Sequence, residues 1–435
     1  MSAGTSTTVS PARACAFSVI RRVFEQGAYA DRALASEATG LGPRDRALAT
    51  RLTYGTVQRR ATLDHVAQAL VGRKLEELDP PVLAALRLGL FQILLLAGIA
   101  DHAAVNESVE LAKSGPGGGF KLVNAVLRRA TRKGQAILDG LDDETPERAA
   151  ILHSVPEWLA RLWWSELGPA QARALLARVN EPPESALRVN GLVATPEEVL
   201  ARLPVPAHRA AEIPEGLVVE GPFDAQGSEL WQAGAIMPQS RASMLVSRTL
   251  DPEPGNRVLD LCAAPGAKTT HLAALIRGEG EVVAVERHAG RAGSLRQTCA
   301  RMHAGCVRVE QGDAAAWTGE QSFDRVLVDP PCSGLGTLQS RPDIRWRSSL
   351  RDLAELPPIQ AGILAAGARA TAPGGVLVYS VCTITRAEGE GVIGGFLGEH
   401  PEFVLERRVQ LMPHVEGTDG FFIARLRRSG SAAGG

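Results

Sequence analysis

The chain of 435 residues has no apolar run long enough to cross a bilayer. The longest, Phe91 to Ala100, is about half of the roughly 20 residues required, so no membrane-spanning helix and no membrane partner are expected. The first residues show no basic segment followed by an apolar core, so no signal peptide is read and a cytoplasmic location is expected. Cysteine is scarce. Cys15, Cys262, Cys299, Cys306, Cys332 and Cys382 form no C-x-x-C pair, so no zinc or other metal site is expected and the thiols are read as reduced. Net charge is nearly absent at −1, which by itself says nothing about a nucleic-acid partner.

What is present is ordinary in amount and uneven in distribution. Hydrophobic residues make up 45% and charged residues 22%, as in globular chains, and the length exceeds one core, so two or three domains are expected. Residues 1–133 hold 18 basic and 11 acidic residues, a balance of +7. That excess suits a phosphate-rich partner or a solvated helical surface, and charge alone does not choose between them.

The N-terminal region reads as all-α. Ala14, Phe17, Ile20, Val23 and Phe24 recur at the spacing of one helix face. Further helices are expected over 45–58, 62–70, 81–96, 104–113 and 119–133, with Ser114 to Gly119 as a glycine-rich loop. The only chemistry there is basic, in Arg128, Arg129, Arg132 and Lys133. The acidic stretch Asp139 to Glu147 reads as a linker. Beyond it, strands at 186–190 and 217–220 around a helix at 196–203 suggest a small α+β connector. Trp158, Trp163 and Trp164 on a short helical stretch are read as core rather than nucleobase platforms.

From about Gly255 short strands alternate with helices: 257–261, 281–285, 307–309, 325–328 and 376–380. Such alternation implies a mainly parallel α/β sheet, whose ligands bind beyond the carboxyl ends of the strands. The expected division is a helical domain at 1–138, linker and connector at 139–235, a Rossmann-like catalytic domain at 236–428, and a disordered tail at 429–435.

The strand ends carry the candidate site. The first leads into Cys262-Ala263-Ala264-Pro265-Gly266-Ala267-Lys268 and then a helix. This turn matches neither G-x-x-x-x-G-K-[ST] nor G-x-G-x-x-G, which favours a cofactor without a pyrophosphate. Glu286 ends the second strand, 20 residues after Gly266, where a carboxylate can accept from both ribose hydroxyls. Asp313 follows the third strand and can take an adenine amine. Asp260, Glu286 and Asp313 at successive strand ends imply a nucleoside ligand, S-adenosyl-L-methionine.

Asp329-Pro330-Pro331-Cys332 follows the fourth strand and Val381-Cys382-Thr383 the fifth, which puts two cysteines in the expected substrate cleft. Cys15, Cys299 and Cys306 are read as packed thiols. A thiolate adding to carbon 6 of cytosine makes carbon 5 nucleophilic enough to accept a methyl group. Asp329 is placed to support that addition at N3. Free cysteine titrates near 8.5, so the attacking thiol needs activation, and the base must leave its stack to reach the cleft.

At these residues the chain resembles the RNA cytosine-5 methyltransferases of the NOL1/NOP2/Sun family. The resemblance rests on residues 258–269, on Asp329-Pro330-Pro331-Cys332-Ser333-Gly334-Leu335-Gly336, on Arg341-Pro342-Asp343 and on Asp419-Gly420-Phe421-Phe422. Residues 10–133 resemble the NusB RNA-binding domain, a combination similar to bacterial Sun-type 16S rRNA methyltransferases. The resemblance implies Cys382 as nucleophile, Cys332 as the cysteine assisting release, and Cys262 to Lys268, Glu286, Asp313 and Asp329 as cofactor contacts. It also implies RNA, specifically small-subunit rRNA, as partner; a monomer is expected. The chain departs from the family pattern at Ala267, Glu286, Val381, Thr383 and Met237-Pro238-Gln239-Ser240. Two other readings stand beside this one. An exocyclic-amine methyltransferase would use Asp329-Pro330-Pro331, but with an aromatic residue where Cys332 stands and with no task for Cys382. A non-catalytic RNA-binding factor would need neither cysteine.

Overall fold

The computed structural model describes residues 9–114, 118–319 and 322–430. Part of the expected glycine-rich loop (115–117) and the end of the expected tail (431–435) lie outside the described residues. Among those described, no helix is long and apolar enough to cross a membrane. The chain divides into two compact units: Met1–Glu181 with Leu338–Ser348, and Pro182–Thr337 with Ser349–Gly435.

The first unit is helical. It contains α1 (Pro11–Gln26), α2 (Ala30–Glu37), α3 (Pro43–Gln58), α4 (Arg60–Leu70), α5 (Pro80–Leu94), α6 (Asp101–Ala112), α7 (Phe120–Asp139), α8 (Pro146–Leu152), α9 (Glu157–Leu167) and α10 (Pro169–Arg178). Proline opens α1, α3, α5, α8 and α10, where its missing N–H costs no helical bond. The apolar face of α1 and most of α5 meet in one core containing Phe17, Ile20, Leu86, Leu88 and Leu90. Helix α7 runs to Asp139, so the chain between α7 and α8 is shorter than the expected linker. Helix α2 has too short an apolar pattern to have stood out. Trp163 is fully buried while Trp158 and Trp164 are half-buried, so the helix bearing them contributes to a core.

The expected connector is divided between the units. Its helices α8–α10 pack on the bundle, with Thr62 Oγ1 donating to Ile151 O (2.6 Å) and Gln58 Nε2 to Val179 O (3.1 Å). The segment 338–348 packs there too. Arg345, fully buried, donates to Ser154 O and Asn180 Oδ1 (both 3.0 Å), Val179 O (3.1 Å) and Leu338 O (3.2 Å). Burial brings its guanidinium down to about 9.

The second unit holds two sheets. The small one runs β2-β3-β1-β4, all antiparallel. Its strands are β1 (Ala186–Val189), β2 (Ala207–Arg209), β3 (Gly216–Val219) and β4 (Ile236–Pro238), joined by α11 (Pro196–Arg202) and α12 (Glu229–Gln232). After α13 (Arg241–Leu250) come β5 (Arg257–Leu261), α14 (Ala267–Leu275), β6 (Glu281–Glu286), α15 (Ala289–Arg301), β7 (Val307–Gln311) and β8 (Phe323–Val328). A short helix α16 (Ile344–Arg347) lies in the segment assigned to the first unit. Then follow α17 (Leu350–Ala370), β9 (Thr371–Val381), α18 (Val392–Glu399), β10 (Phe403–Leu411), α19 (Pro413–Glu416) and β11 (Phe421–Arg428).

The large sheet is ordered β10-β11-β9-β8-β5-β6-β7. Strands β5 to β9 are parallel, and β10 and β11 add an antiparallel edge beyond β9. The expected parallel strands are all present; the antiparallel pair was not anticipated. Both central faces of the sheet are apolar, with Val258, Leu259, Leu261, Val283, Val326, Leu327 and Val328 at 0% exposure, as a sheet covered by helices on both sides requires. Strand order reverses between β5 and β8, the place where such sheets open a crevice for ligands. The small sheet braces this region. Arg188 of β1 donates to Thr270 Oγ1 of α14 (2.8 Å), and Asn190 donates to Met302 O just after α15 (2.8 Å).

Candidate active site

The turn between β5 and α14 is held from several sides. Cys262 takes a left-handed backbone with φ 73°, unusual for a side-chain-bearing residue and typical of functional turns. Gly266 has φ 106°, and a Cβ there would also stand 2.7 Å from Leu295 Cδ1, so glycine is required. Ala267, by contrast, is the first residue of α14, where right-handed backbone suits alanine; the departure from a second glycine therefore carries no strain. Thr269 Oγ1 donates to Asp260 Oδ2 (2.6 Å), tying the turn to the strand before it.

Asp260 is fully enclosed. Burial pushes its carboxyl up to about 7, against the pull of the Thr269 hydroxyl, and Asp329 adds to the rise. The folded value lies above the model-peptide value of about 3.9, so this group's contribution to stability is present below that pH and is lost as pH rises towards 7. The slope is at most about 1.4 kcal/mol per pH unit. Between pH 4 and 7, urea midpoints of Asp260→Asn are expected to fall less steeply than those of the parent. Parallel curves would show that Asp260 does not titrate there.

Glu286 is the last residue of β6 and only 3% exposed. One oxygen accepts from His288 N (2.9 Å), and the other lies 3.5 Å from Arg291 Nε. Arg291 also donates to Ala264 O (2.6 Å), so it spans Glu286 and the turn; the sequence did not single it out. Asp313 is exposed, accepts from Ala315 N (3.0 Å), and borders a cavity of about 530 Å³ with Val285, Gly312, Trp317 and Phe323.

The strand ends β8 and β9 bring the remaining residues together. Cys332 Sγ and Cys382 Sγ are 3.3 Å apart and both half-buried. Asp329 accepts from Lys268 Nζ (2.7 Å) and Ser380 Oγ (2.8 Å). Burial pulls the Lys268 ammonium down, but Asp329 outweighs it and leaves the lysine above its ordinary value, hence charged at neutral pH. The Cys332 thiol is raised well above 9.0, first by its hydrogen bond to Cys382, then by burial and by the charges around it. Burial pushes Cys262 up to about 12 and Cys299 likewise. Cys15 and Cys299 are buried in cores and Cys306 packs against one.

The motif glycines have a shared purpose. Gly336 N donates to Cys382 O (3.1 Å), and Gly336 O accepts from Gly420 N (2.8 Å). A Cβ on Gly336 would lie 2.0 Å from Gly420 O, so the two motifs seal the cysteine loops against the start of β11. Thr383 Oγ1 bonds Ser333 Oγ (2.9 Å), so threonine supplies the hydroxyl expected of serine. Val381 is a fully buried strand residue. In the departing segment 237–240, Pro238 ends β4 and Ser240 caps α13 through Ser243 N (3.4 Å).

This geometry can be set beside known proteins. The profile of the 16S rRNA methyltransferase RsmB/F family matches residues 247–427. The NusB family matches 10–132, and the ferredoxin-like domain of RsmF/B-like methyltransferases matches 155–226. Ribosomal RNA small subunit methyltransferase B of Thermus thermophilus is 36% identical over 408 residues, covering 90% of each chain. Its counterpart in Vibrio cholerae is 33% identical over 432 residues, covering 96% of this chain and 97% of its own. The chain belongs to the RsmB/F methyltransferase family.

As an RsmB/F member it is an RNA methyltransferase with a NusB-like helical domain, a ferredoxin-like domain and a Rossmann-like catalytic sheet. The crystal structure of PH0851 superposes with a TM-score of 0.82 at 27% identity, covering 97% of this chain and 99% of that one. NSun6 from Pyrococcus horikoshii, solved with SFG, has a TM-score of 0.60 at 22% identity, covering 64% of this chain and 99% of that one, and shares the fold.

Proposed function

We propose that this RsmB/F member methylates carbon 5 of a cytidine in RNA, specifically small-subunit rRNA, through a covalent bond between Cys382 and carbon 6. The observation that carries this reading is the pair of thiols 3.3 Å apart at the ends of β8 and β9, beside Asp329. The relatives' names supply the rRNA, and an RNA methyltransferase that transfers to an exocyclic amine would leave the second thiol unused.

The residues present fit S-adenosyl-L-methionine. The near-buried Glu286 suits ribose hydroxyls, Asp313 at the mouth of its cavity suits an adenine amine, and Cys262 to Lys268 bring backbone close at a helix start. When bound, this cofactor supplies the electrophilic methyl group that carbon 5 accepts. Cys382, as thiolate, adds to carbon 6 and pushes the ring electrons towards N3. Asp329, oriented by Lys268 and Ser380, holds the pyrimidine edge there and shares a proton with it. In release, the hydrogen on carbon 5 passes as a proton to solvent, its bonding pair restores the 5,6 double bond, and the sulfur of Cys382 departs with its own pair. Cys332, in contact with that sulfur, is assigned to this step. Radiolabelled methyl transfer to rRNA followed by nucleoside analysis tests the reading: 5-methylcytidine is expected, and label on an exocyclic nitrogen would overturn it.

Two further results are expected. Glu286→Ala and Asp313→Ala should each weaken S-adenosylhomocysteine binding by about tenfold or more, the loss of one or two hydrogen bonds to a polar ligand. Titration calorimetry measures this, with circular dichroism as the fold control; unchanged affinity in both would remove these acids from the site. The basic surface of α7 should bind phosphate. Lys121, Arg128, Arg132 and Lys133 are all exposed, and replacing the four by Gln should weaken RNA binding and flatten its dependence on salt. An identical salt slope would show that this surface does not face the RNA.

A further inference from the structure

One buried acid is absent from every motif read above. Glu388 is 0% exposed and lies in a single π turn, Ala387–Gly391, after Cys382. Such widened turns are rare and concentrate at functional sites, because they re-aim a side chain out of helical register. Here the turn aims the carboxylate back between the two cysteine loops. Oε2 accepts from Ser333 N (2.8 Å), the residue after Cys332, and from Gln360 Nε2 (3.2 Å). Oε1 accepts from Thr385 Oγ1 (3.1 Å), three residues after Cys382. The backbone carbonyl of Glu388 accepts from Tyr379 OH (2.7 Å). All of these side-chain partners are uncharged, so no cation in that contact set offsets the carboxylate.

From this arrangement we infer that Glu388 is a positioning residue that clamps the two cysteine loops together and disfavours a thiolate at Cys332. The inference rests on the covalent reading proposed above and deepens it. Two thiols in contact could each attack carbon 6, and the reaction needs one to wait. The titratable groups around Cys332 are Tyr379 on β9 and Cys382 just after it, Asp329 after β8 with its partner Lys268, and Glu388 itself. Lys268 is bound to Asp329, three residues before Cys332, and its charge is supported by Asp329 first and by Cys382 after it. Glu388 bonds the residue next to Cys332, and its charge opposes a thiolate at that position. The carboxylate thus bonds both loops, through Ser333 beside Cys332 and through Thr385 after Cys382, and its charge is one of those that raise the Cys332 thiol.

The test is peptide-resolved alkylation of the full chain with iodoacetamide across pH. Glu388→Gln keeps the shape and one acceptor oxygen but removes the charge. Cys332 in this variant is expected to react about tenfold faster at pH 8, a downward move of about one pH unit in its profile. Cys382 in the same sample should change by less than about twofold. Glu388→Asp, which keeps the charge, should leave the Cys332 profile in place. If Glu388→Gln does not fold, Gln360→Leu, which removes one donor and leaves the carboxylate charge less offset, should move the Cys332 profile the opposite way, to higher pH. An unmoved Cys332 profile in the folded variant overturns the inference. The readout needs no RNA, so a failure of the covalent reading, seen as absence of 5-methylcytidine, is separately visible.

Discussion

Cys382→Ala is expected to abolish methyl transfer, by at least about 10³-fold, and to form no covalent adduct with RNA, whereas Cys332→Ala should transfer the methyl group and then stall as an adduct. The two sulfurs lie 3.3 Å apart, so only one can bond carbon 6 while the other stays close enough to act on that bond. The Cys332 thiol is raised by its hydrogen bond to Cys382 first and then by burial, which suits a thiol that holds back. With Cys332 gone, addition and methyl acceptance still proceed, but nothing stands beside the sulfur at release. The adduct should survive denaturing electrophoresis and disappear on nuclease treatment. An adduct in Cys382→Ala, with none in Cys332→Ala, would reverse the two roles.

Asp329→Asn should lower kcat by about 10²–10³-fold, in the range of one lost proton-handling group. The carboxylate receives Lys268 from one side and Ser380 from the other, so its orientation is set before any base arrives. The amide keeps the shape but can neither hold a negative charge nor pass a proton, and it leaves the Lys268 ammonium without its ion-pair partner in a nearly closed site. Because Lys268 sits above its ordinary value, its ammonium persists through neutral pH and is lost only at strongly alkaline pH. Single-turnover rates at saturating RNA measure the effect. A kcat within about threefold of the parent would mean that Asp329 only lines the cleft.

Much of this site was legible because it sits at strand ends. A parallel strand buried on both faces must be apolar, so the first polar residue after it marks the sheet edge, and Glu286, Asp329 and Cys382 all appear there in the sequence. The departures from the family pattern also resolve locally: Ala267 falls in helix and Thr383 still offers a hydroxyl. Glu388, Gln360, Ser380 and Arg291 were not legible. Each acts on a residue far along the chain, as Glu388 does on Ser333 and Arg291 on Ala264, and no local period encodes such a partner. The antiparallel edge was missed for a related reason. Strand β10 is Phe403–Leu411 with a half-exposed, charge-rich pattern, which reads as loop until β11 pairs with it.

Length, the apolar periods and the polar residues closing each strand determined a helical segment, an α/β sheet and two cysteines at adjoining strand ends. These features are set by nearest neighbours along the chain, where backbone geometry alone dictates which side a residue faces. The tertiary structure decided the rest. It alone brought Lys268 onto Asp329 across 61 residues and Glu388 between the cysteine loops. It alone sent Arg345, a residue of the catalytic sequence, into the helical unit, where backbone carbonyls enclose it. A buried charge or polar group must find its partners wherever the fold provides them, and that choice is made by packing rather than by sequence order.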